Sequence, residues 1–437
     1  MTETVMASDP KPGPRVLYVV YWGALEPLGR SLVLPAVEEL ADLGVRLTLV
    51  TFDKPGDLTD QGEVAAVRAR LGGRGIRWAP LRYHKRPKIP ATMFDILNGW
   101  LRTVSLGLRP RPDIIHARTF IGGLIGAAAA FVLRAKLVYH NEGFYPDEQV
   151  DGGVWKAGSR AHRVAKSLEL GLYGRADGIV AVSDRGRTVI EAMPVVARRN
   201  TPVITVPSCV DLEHFRRDCP KPVWTGEALK LIYIGSAGGR YLLDKIGRFA
   251  AIASDMLKEV SLRVLTRTDE SLVASMLAAV GLSRKAWSLD SVSRQDMPRE
   301  LAACDAGLVF LASGTSGHGC SPTKVGEYWA MGLPVIASPG LSDLDDIIKT
   351  ERVGVIVSDY SDTAYRSAVN ELVELLKDPE MPERCRRAAE RHYWLDSGCR
   401  GQIQLFEKLC RATHDSSVYS ATGSGNQMTP QSPKGSS

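Results

Sequence analysis

A lysine and a glutamate lie three positions apart at Lys324 and Glu327, inside a segment that reads as one short helix. Ser321 suits the N-cap of that helix, Pro322 its first position and Gly332 the residue after its end. Its start would carry unpaired N–H groups and a partial positive charge, to which Lys324 adds a full charge, so the segment predicts a diphosphate site. Glu327, one turn later, would accept hydrogen bonds from sugar or ribose hydroxyls. The alternative is an ordinary capped helix whose exposed Lys–Glu pair contributes only about 0.2–0.5 kcal/mol.

A second candidate phosphate site is the glycine-rich turn at residues 235–240, which follows a predicted strand and precedes a helical pattern. Small residues there let a ligand approach the backbone, and Arg240 or Lys245 would reach its phosphates. Arg267, just past the next predicted strand, is a further candidate. A tight turn without a ligand is the plain alternative. The candidates in this half of the chain are Gly235, Ser236, Gly238, Arg240, Lys245, Arg267, Ser321, Pro322, Thr323, Lys324 and Glu327.

The first half of the chain places polar and charged residues where predicted strands end. A strand-to-helix loop holds Glu26 and Pro27 between two glycines, and histidines follow later strands. Ligands of open parallel sheets bind at the carboxyl ends of strands, so these residues are expected to line one cleft. An isolated histidine is more often structural than catalytic, and two facing one cleft leave both roles open. The candidates are Gly23, Glu26, Pro27, Gly29, His116, Arg118, His140, Glu142, Asp147 and Glu148.

Alternating strands and helices must position these side chains. From residue 15 onward, short β-branched runs alternate with helical patterns, which indicates βαβ units and parallel sheets. The sequence therefore predicts an α/β protein with two doubly wound, Rossmann-like domains that face each other across a cleft. The predicted strands are 16–20, 45–51, 76–79, 114–116, 137–139, 178–182, 203–206, 231–234, 262–265, 307–311, 334–337 and 354–357.

Composition shifts along the chain indicate where the domains begin and end. Pro220, Pro222 and Gly226 interrupt the periodicity ahead of a new strand, and the chain ends in a run of Ser, Gly, Thr, Gln and Pro. The prediction is a disordered N-terminus at 1–14, a first domain at 15–208, a linker at 209–229, a second domain at 230–390, a C-terminal helix at 391–415 that packs back on the first domain, and a disordered tail at 416–437.

The overall composition excludes several classes of protein. The chain has 437 residues, 44% of them hydrophobic, and a net charge of +6, which is typical of a globular protein with more than one domain. Its seven scattered cysteines include no Cys-x-x-Cys pair, so we expect a reduced, cytoplasmic compartment and no metal site. No signal peptide is visible, and the longest apolar run, 120–133, is too short to span a bilayer.

Residues 82–118 hold eight basic residues against two acidic ones, an excess as large as that of the whole chain. Apolar residues recur among them at helical spacing, which is typical of a basic amphipathic helix on an anionic membrane surface. A helix that covers a sheet and has a solvated, charged outer face fits equally well. Nucleic acid is not expected as a partner, because the stretch lacks interleaved aromatic platforms.

Several motifs together resemble family 4 glycosyltransferases of the GT-B fold, whose second domain is of the group 1 type. Glu327 followed by Tyr-Trp-Ala-Met-Gly-Leu-Pro-Val-Ile is similar to the glutamate helix of that family. Further motifs at residues 23–31, 176–183, 207–215 and 233–236 match those of the family in order and spacing, so the resemblance covers residues 15–410. The sequence departs from the pattern at Gly319, where many members carry a first glutamate. The N–H groups of the surrounding turn, with His318, would hold the sugar instead.

The resemblance implies a retaining, metal-independent hexosyltransferase that needs no cofactor. It would move a sugar from a UDP- or GDP-sugar to a lipid-linked or glycan acceptor in cell-surface polysaccharide biosynthesis, in the cytoplasm or peripherally on the inner face of the membrane. Its catalytic candidates are Glu327, His140 and Glu142. The second-domain candidates would bind the donor and those of the first domain the acceptor. Asp147 and Glu148 lie in a Pro-Asp-Glu segment that would orient the acceptor or close a loop.

Two other functions stay open at this point. A sugar-nucleotide epimerase or hydrolase on the same scaffold would convert the donor without an acceptor. A non-catalytic, nucleotide-sugar-binding partner of a glycan biosynthesis complex would bind the donor without turnover, and the glycine at the position of the first glutamate is compatible with that role.

Overall fold

The computed structural model describes residues 13–421, except 218, 220, 222 and 313, and its side chains as far as residue 411, apart from Thr315. The expected disordered ends therefore lie mostly outside the described residues. Where they overlap, the structure differs from the prediction. The carbonyls of Gly13 and Pro14 accept hydrogen bonds from Arg46, and the last helix continues through residue 416 to Ala421.

The strands of the described chain form two sheets, and every pairing in them is parallel. The first sheet has the order β3-β2-β1-β4-β5-β6-β7 and the second the order β10-β9-β8-β11-β12-β13. The predicted pair of doubly wound α/β domains is confirmed. The strands are β1 (Arg15–Val20), β2 (Arg46–Asp53), β3 (Arg77–Arg82), β4 (Ile114–Arg118), β5 (Lys136–Asn141), β6 (Gly178–Ala181), β7 (Val203–Thr205), β8 (Leu229–Ile234), β9 (Val260–Leu265), β10 (Trp287–Asp290), β11 (Ala306–Val309), β12 (Val335–Ala337) and β13 (Gly354–Ile356).

Helices connect the strands and cover both sheets. A π-helical turn at Gly29–Val33 and 3₁₀ turns at Asp57–Thr59, Arg284–Ala286 and Thr315–Gly319 complete the elements. The α-helices are α1 (Leu34–Asp42), α2 (Gln61–Gly73), α3 (Lys88–Gly107), α4 (Phe120–Leu133), α5 (Tyr145–Asp151), α6 (Arg160–Arg175), α7 (Asp184–Glu191), α8 (Pro194–Ala197), α9 (Leu243–Met256), α10 (Glu270–Ala279), α11 (Met297–Ala302), α12 (Thr323–Ala330), α13 (Leu344–Glu351), α14 (Asp362–Leu376), α15 (Met381–His392) and α16 (Leu395–Ala421).

Most strands of both sheets have a continuous apolar, buried stretch because helices cover both faces. In β1, every residue after Arg15 is buried, and all four residues of β6 are buried. The strand that the sequence did not predict, β10, lies at an edge and is only partly buried. Among the described helices, none combines the length and the apolar character needed to cross a membrane.

The last helix, α16, returns from the second domain and packs on the first. It contacts α1, and its Leu405 and Leu409 lie against Gly178 at the start of β6. Phe406 is fully buried, and its ring centroid lies 5.7 Å from that of His116 on β4. The chain end therefore completes the core beneath the carboxyl ends of the first sheet.

Truncating Phe406 tests this contribution. We expect Phe406→Ala to lower the free energy of unfolding by about 3–5 kcal/mol, because a fully buried aromatic ring is lost and a cavity remains. Urea unfolding followed by circular dichroism measures the change. Phe131→Ala is the matched control, because Phe131 is 87% exposed and its truncation should leave stability nearly unchanged. Equal costs for the two variants would contradict the packing described here.

Candidate functional site

The segment before α12 lies at the contact between the two domains. Pro322, rather than Ser321, is the N-cap of α12, and no side chain caps the helix. The predicted N-cap role of Ser321 is therefore wrong. Its hydroxyl accepts a hydrogen bond from the N–H of Ser208 at 3.0 Å, and its carbonyl accepts one from the Ser208 hydroxyl at 2.8 Å. Because its side chain is used in this contact, the first turn of α12, at Thr323, keeps N–H groups free for a ligand.

The first turn of α12 carries the predicted lysine and glutamate. Lys324 Nζ lies 2.9 and 3.0 Å from the two carboxylate oxygens of Glu327, which is buried. The next residue, Tyr328, accepts the N–H of Ile234 through its hydroxyl at 3.2 Å. As predicted, Gly332 follows the helix with a positive φ of 72°. The Tyr328 contact fixes the ion pair next to the end of β8, where the second candidate phosphate site begins.

The turn at residues 235–240 requires glycines and is supported by a threonine that the sequence reading missed. A Cβ on Gly235 would lie 2.6 Å from the hydroxyl of Tyr233, and Gly238 has a left-handed φ of 100°. Tyr233 donates to the carbonyl of Ser236 at 2.6 Å, and the N–H of Ala237 donates to Thr268 Oγ1 at 3.0 Å. Thr268 could have been suspected from its place just after β9, beside Arg267.

Of the three cations predicted for this turn, the structure brings one into contact with the opposite domain. Arg240 Nη1 lies 2.7 Å from Glu148 Oε1, while its Nε and Nη2 are buried without a hydrogen-bond partner in the described structure. Lys245 pairs with Asp244 at 3.4 Å and lies 5.8 Å from the ring centroid of Tyr360. Arg267 is exposed at the end of β9. Arg240 is therefore the cation positioned for a ligand between the domains.

The turn at residues 314–320 packs directly against the first domain. The carbonyl of His318, not its exposed imidazole, makes the contacts, since it accepts from the hydroxyls of Ser183 at 2.8 Å and Ser342 at 2.7 Å. A Cβ on Gly319 would lie 3.0 Å from the ring of Phe144. The missing glutamate thus has a packing reason, because a larger side chain at Gly319 would push the two domains apart.

In the first domain, the loop after β1 is held by a buried aspartate that the sequence analysis missed. Asp53, the last residue of β2, accepts the N–H of Leu25 at 3.1 Å and the hydroxyl of Thr51 at 2.6 Å. Burial raises the pKa of Asp53 to about 6. A Cβ on Gly23 would lie 3.0 Å from this carboxylate, and one on Gly29 would overlap the backbone of Gly23 and Ala24. The place of Asp53 at a strand end was the signal that could have found it.

The predicted polar residues of this loop face outward. Glu26 lies 3.3 Å from Lys54, and Pro27 is exposed. The loop therefore offers one paired carboxylate and its backbone to a ligand on the first-domain side.

Four further predicted residues form one buried cluster at the ends of β4 and β5. His116 Nε2 lies 3.1 Å from His140 Nδ1, and Arg118 forms an ion pair with Glu142. His140 Nε2 lies 3.3 Å from Glu142 Oε1 without hydrogen-bond geometry. The His116 ring stacks on that of Tyr18, with 4.4 Å between centroids. The structure brings the four together as one network.

Three of the four are not placed to touch an acceptor. His116 is fully buried, His140 is 2% exposed and Arg118 is 4% exposed, so the substrate contacts predicted for them are not made in this structure. His116 and Arg118 support their neighbours instead, His116 through His140 and Arg118 through Glu142. Glu142 keeps 17% of its side chain exposed and is the member of the cluster most open to the cleft.

Both imidazoles of the cluster are uncharged. Burial and the nearby Arg118 charge lower the pKa of His116 to about 3. The same causes, followed by His116 itself, hold the pKa of His140 well below its ordinary value. A neutral His140 can donate or accept a hydrogen bond, but it is not an acid at neutral pH.

Helix α5 connects the two domains through its carboxylates. Asp147 faces its own domain, 2.8 Å from Lys166 and 3.2 Å from His162. Glu148 reaches Arg240, and Asp151 accepts the N–H of Ser316 at 3.0 Å. Burial raises the pKa of Glu148. Glu148 is therefore placed to close the cleft, whereas Asp147 makes its contacts within the first domain and is not placed for either predicted role.

A second interdomain contact lies beside the linker. Asp343 accepts the backbone N–H groups of Asp184 and Arg185 at 2.6 and 3.0 Å, and Arg185 lies 2.7 Å from Asp346. A cavity of about 570 Å³ lies there between the domains, lined in part by Ser321. Among the side chains that the structure describes, up to residue 411, no cluster of three or more His, Cys, Asp or Glu is arranged to hold a metal ion.

Comparison with protein families assigns both halves of the chain. Residues 32–214 match the family model of Glycosyltransferase Family 4, and residues 229–375 match that of Glycosyl transferases group 1. The two matches are separated at the predicted linker, and together they confirm the resemblance drawn from the motifs. Among curated proteins, the sequence has no significant match.

Solved structures share the fold at low sequence identity. A glycosyltransferase from Rickettsia africae is 13% identical with a TM-score of 0.63, over 91% of this chain and 98% of that one. Sucrose-phosphate synthase from Thermosynechococcus elongatus is 15% identical with a TM-score of 0.63, over 92% and 100%. HepE from Anabaena, solved in complex with UDP-glucose, is 15% identical with a TM-score of 0.63, over 90% and 99%. These neighbours confirm the GT-B architecture.

The neutral state of His116 predicts how stability depends on pH. The unfolded chain takes up a proton at this histidine below its ordinary pKa near 6.5, whereas the native state does so only near 3, so its contribution to stability is lost as the pH falls from about 6.5 towards 3. Between pH 5 and 6 it should add about 1.4 kcal/mol per pH unit to the slope of unfolding free energy against pH.

The variant His116→Gln isolates this contribution from those of other titrating groups. Urea unfolding of wild type and variant over that pH range gives the two slopes of unfolding free energy against pH. The slope of the variant should be smaller by about 1.4 kcal/mol per pH unit, which corresponds to the uptake of about one proton on unfolding. Parallel slopes would show that His116 is protonated equally in the folded and unfolded chains.

Proposed function

We propose that this chain, a GT-B glycosyltransferase of the family 4 type, transfers a hexosyl group from a nucleotide diphosphate sugar to a lipid-linked or glycan acceptor with retention of configuration. The observation that carries the proposal is the uncapped start of α12, where Lys324 and Glu327 lie beside the glycine turn after β8 and against the first domain. This arrangement offers a diphosphate free N–H groups and a cation, with a carboxylate next to it.

On the donor side, the diphosphate would lie at the first turn of α12 and be neutralised by Lys324 and Arg240. Arg240 keeps two buried N–H-bearing nitrogens without a partner, which a phosphate oxygen would satisfy. Glu327 would accept hydrogen bonds from ribose or sugar hydroxyls once Lys324 turns to the phosphate. Cations fixed before the reaction stabilise the charge that develops on the departing diphosphate. The complex of HepE with UDP-glucose supports a UDP-sugar as the first donor to test.

On the acceptor side, Glu142 would contact the sugar or the attacking hydroxyl, and the buried His140 would support it from below. Glu142 is held in place by Arg118 and lies 3.3 Å from His140 Nε2. In the proposed reaction the bond from the anomeric carbon to the phosphate oxygen breaks, and the bond to the acceptor oxygen forms on the same face. The acceptor proton passes to the departing phosphate oxygen, so neither a metal ion nor a cofactor is part of the proposal, and the protein contributes positioning.

We place the reaction in cell-surface polysaccharide biosynthesis, on the cytoplasmic side of the membrane, because a lipid-linked acceptor would be reached there. Among the alternatives, a hydrolase or epimerase would consume donor without an acceptor, and a binding partner would hold the donor without consuming it. A panel of UDP-, GDP-, dTDP- and ADP-sugars, assayed with and without a membrane lipid extract, separates the three.

Replacing the glutamate of α12 tests the assignment. We expect Glu327→Gln to reduce transfer at least about a hundredfold. The carboxylate that would accept hydrogen bonds from hydroxyls of the nucleotide sugar becomes an amide, in which one of the two accepting oxygens is replaced by an NH₂ group, and Lys324 loses its charged partner. Turnover on the best donor of the panel measures the effect, with circular dichroism to verify the fold. Glu374→Gln on α14, which breaks an exposed pair with Lys377 of the same spacing, is the control. Full activity of Glu327→Gln would overturn the assignment.

The pair between Arg240 and Glu148 makes a second prediction. A diphosphate would compete with Glu148 for the charge of Arg240, so Glu148→Gln should tighten UDP binding several-fold, whereas Arg240→Met should weaken it about tenfold or more. Isothermal titration with UDP, or with the nucleoside diphosphate that the panel selects, measures both. Arg263→Met, which removes an arginine paired with Asp290 and Glu300 at β9, should leave the affinity unchanged. Weaker binding in both test variants would instead mean that the ion pair supports the site.

A further inference from the structure

Helix α3 has large apolar residues on two sides. One set packs on the core of the first domain and consists of Ile96, Trp100, Val104 and Leu106. Every fourth residue from Ala91 to Thr103 faces the sheet, and these are alanine, Asp95, Gly99 and threonine. A Cβ on Gly99 would lie 2.6 Å from the ring of Phe52, so the inner face is small because the helix lies close to the sheet. The core of the domain therefore explains one set of apolar residues of α3 but not the exposed set.

The outward face of α3 carries a stripe of large apolar side chains at the same spacing. Ile89 is 71% exposed, and Met93, Leu97 and Leu101 follow it at intervals of four residues, with Phe94 beside them, each more than half exposed. A stripe with this spacing covers one side of the helix along its length. We call it the apolar face of α3.

The two helices next to α3 extend this surface. Helix α4 packs against α3 and ends with Phe131, 87% exposed, and Val132. Helix α6 packs against α4 and exposes Val164 and Leu168. All three helices connect strands that follow one another in the same direction across the first sheet, so they lie on the same side of it. Contiguous exposed apolar area of this kind marks an interaction site on a protein surface.

The charges around the apolar face are of one sign. Lys85, Arg86 and Lys88 lie at the start of α3, Arg102 along it, and Arg109 and Arg111 just after it, all exposed. Arg134, Arg160 and Arg163 continue the series on α4 and α6. The acidic residues within these three helices are Asp95 and Glu169, and both are fully buried. The surface thus presents exposed cations beside apolar side chains without a compensating carboxylate on the same helices.

We propose that this surface of the first domain binds an anionic phospholipid bilayer, with the apolar face of α3 inserted among the headgroups and acyl chains and the basic residues around it in contact with lipid phosphates. Both contributions are needed for such binding, since apolar area gives insertion and basic residues give attraction to anionic lipid. The surface is formed by convex helix faces rather than by a groove, which fits a bilayer better than an extended peptide. The inference rests on this surface alone and does not require the proposed transfer reaction.

Vesicle flotation of the full chain tests the proposal. We expect the protein to float with vesicles that contain one-third phosphatidylglycerol in phosphatidylcholine, to bind vesicles of phosphatidylcholine alone at least about tenfold more weakly, and to be released by high salt. The assay contains no donor or acceptor. Absence of flotation would therefore overturn the membrane inference and leave the glycosyltransferase proposal standing. Loss of transfer activity with normal flotation would overturn the glycosyltransferase proposal and leave the membrane inference standing.

Two variants separate the apolar and the electrostatic contributions. The double variant Leu97→Ser with Leu101→Ser should reduce partitioning at least about tenfold while leaving the fold intact, because both side chains are exposed. The triple variant Lys85→Ala, Arg86→Ala and Lys88→Ala should reduce the preference for anionic vesicles. Leu272→Ser on α10, an equally exposed leucine of the second domain, is the matched control and should bind like wild type.

Three outcomes would overturn the proposal. These are absence of wild-type flotation with anionic vesicles, equal binding by wild type and the double leucine variant, and a dimer seen by light scattering that dissociates in the double leucine variant while vesicles fail to bind. The last result would identify the apolar face of α3 as a contact between two copies of this chain.

Discussion

The arrangement of the two domains depends on one close approach of backbone to backbone, at the turn that ends with Gly319. The carbonyl of His318 accepts hydroxyls from both sides, from Ser183 of the first domain and Ser342 of the second. A Cβ on Gly186 would lie 3.3 Å from the Cα of Gly319, so neither position has room for a large side chain without moving the domains. The same approach brings the start of α12 to the interface. The glycine in place of a glutamate follows from this close approach, and the uncapped helix follows from the neighbouring contact between Ser321 and Ser208.

Each cation of the cleft has a carboxylate partner, and the partners differ in where they lie. Lys324 pairs with Glu327 inside the second domain, and Arg118 pairs within the first, whereas Arg240 pairs across the interface with Glu148. A polyanionic ligand can turn Lys324 without disturbing the domains, but at Arg240 it would compete with an interdomain ion pair. Breaking a partly buried pair is costly unless the new ligand supplies at least equal charge. Ligand binding and domain position are thus coupled through Arg240, and a diphosphate with two charged groups can satisfy both.

The sequence was informative where the structural signal is local. Strands buried on both faces leave continuous apolar runs, so the predicted strands fall close to the observed ones, and the short, partly buried edge strand β10 left no such run. The hydroxyl of Ser321 was misassigned because its partner, Ser208, lies 113 residues away in the chain. His116 was expected at a strand end but lies in the middle of β4, and its burial depends on Tyr18 and on Phe406 from the returning helix. Contacts between distant segments determine which strand-end residues reach the cleft, and a single sequence does not encode them in any local pattern.

The outer surface of the first domain and its cleft are mechanically linked through one buried side chain of α3. Asp95 accepts the hydroxyl of Tyr21 at 2.8 Å and the N–H of His84 at 3.0 Å, so it ties the helix to the ends of β1 and β3. Only Trp22 separates Tyr21 from the loop at residues 23–29, so the position of α3 also fixes where that loop begins. A membrane that binds the outward side of α3 would therefore lie at a constant distance from the acceptor side of the cleft. That geometry suits an acceptor whose sugar is carried on a lipid, because enzyme and acceptor would then be anchored to the same plane.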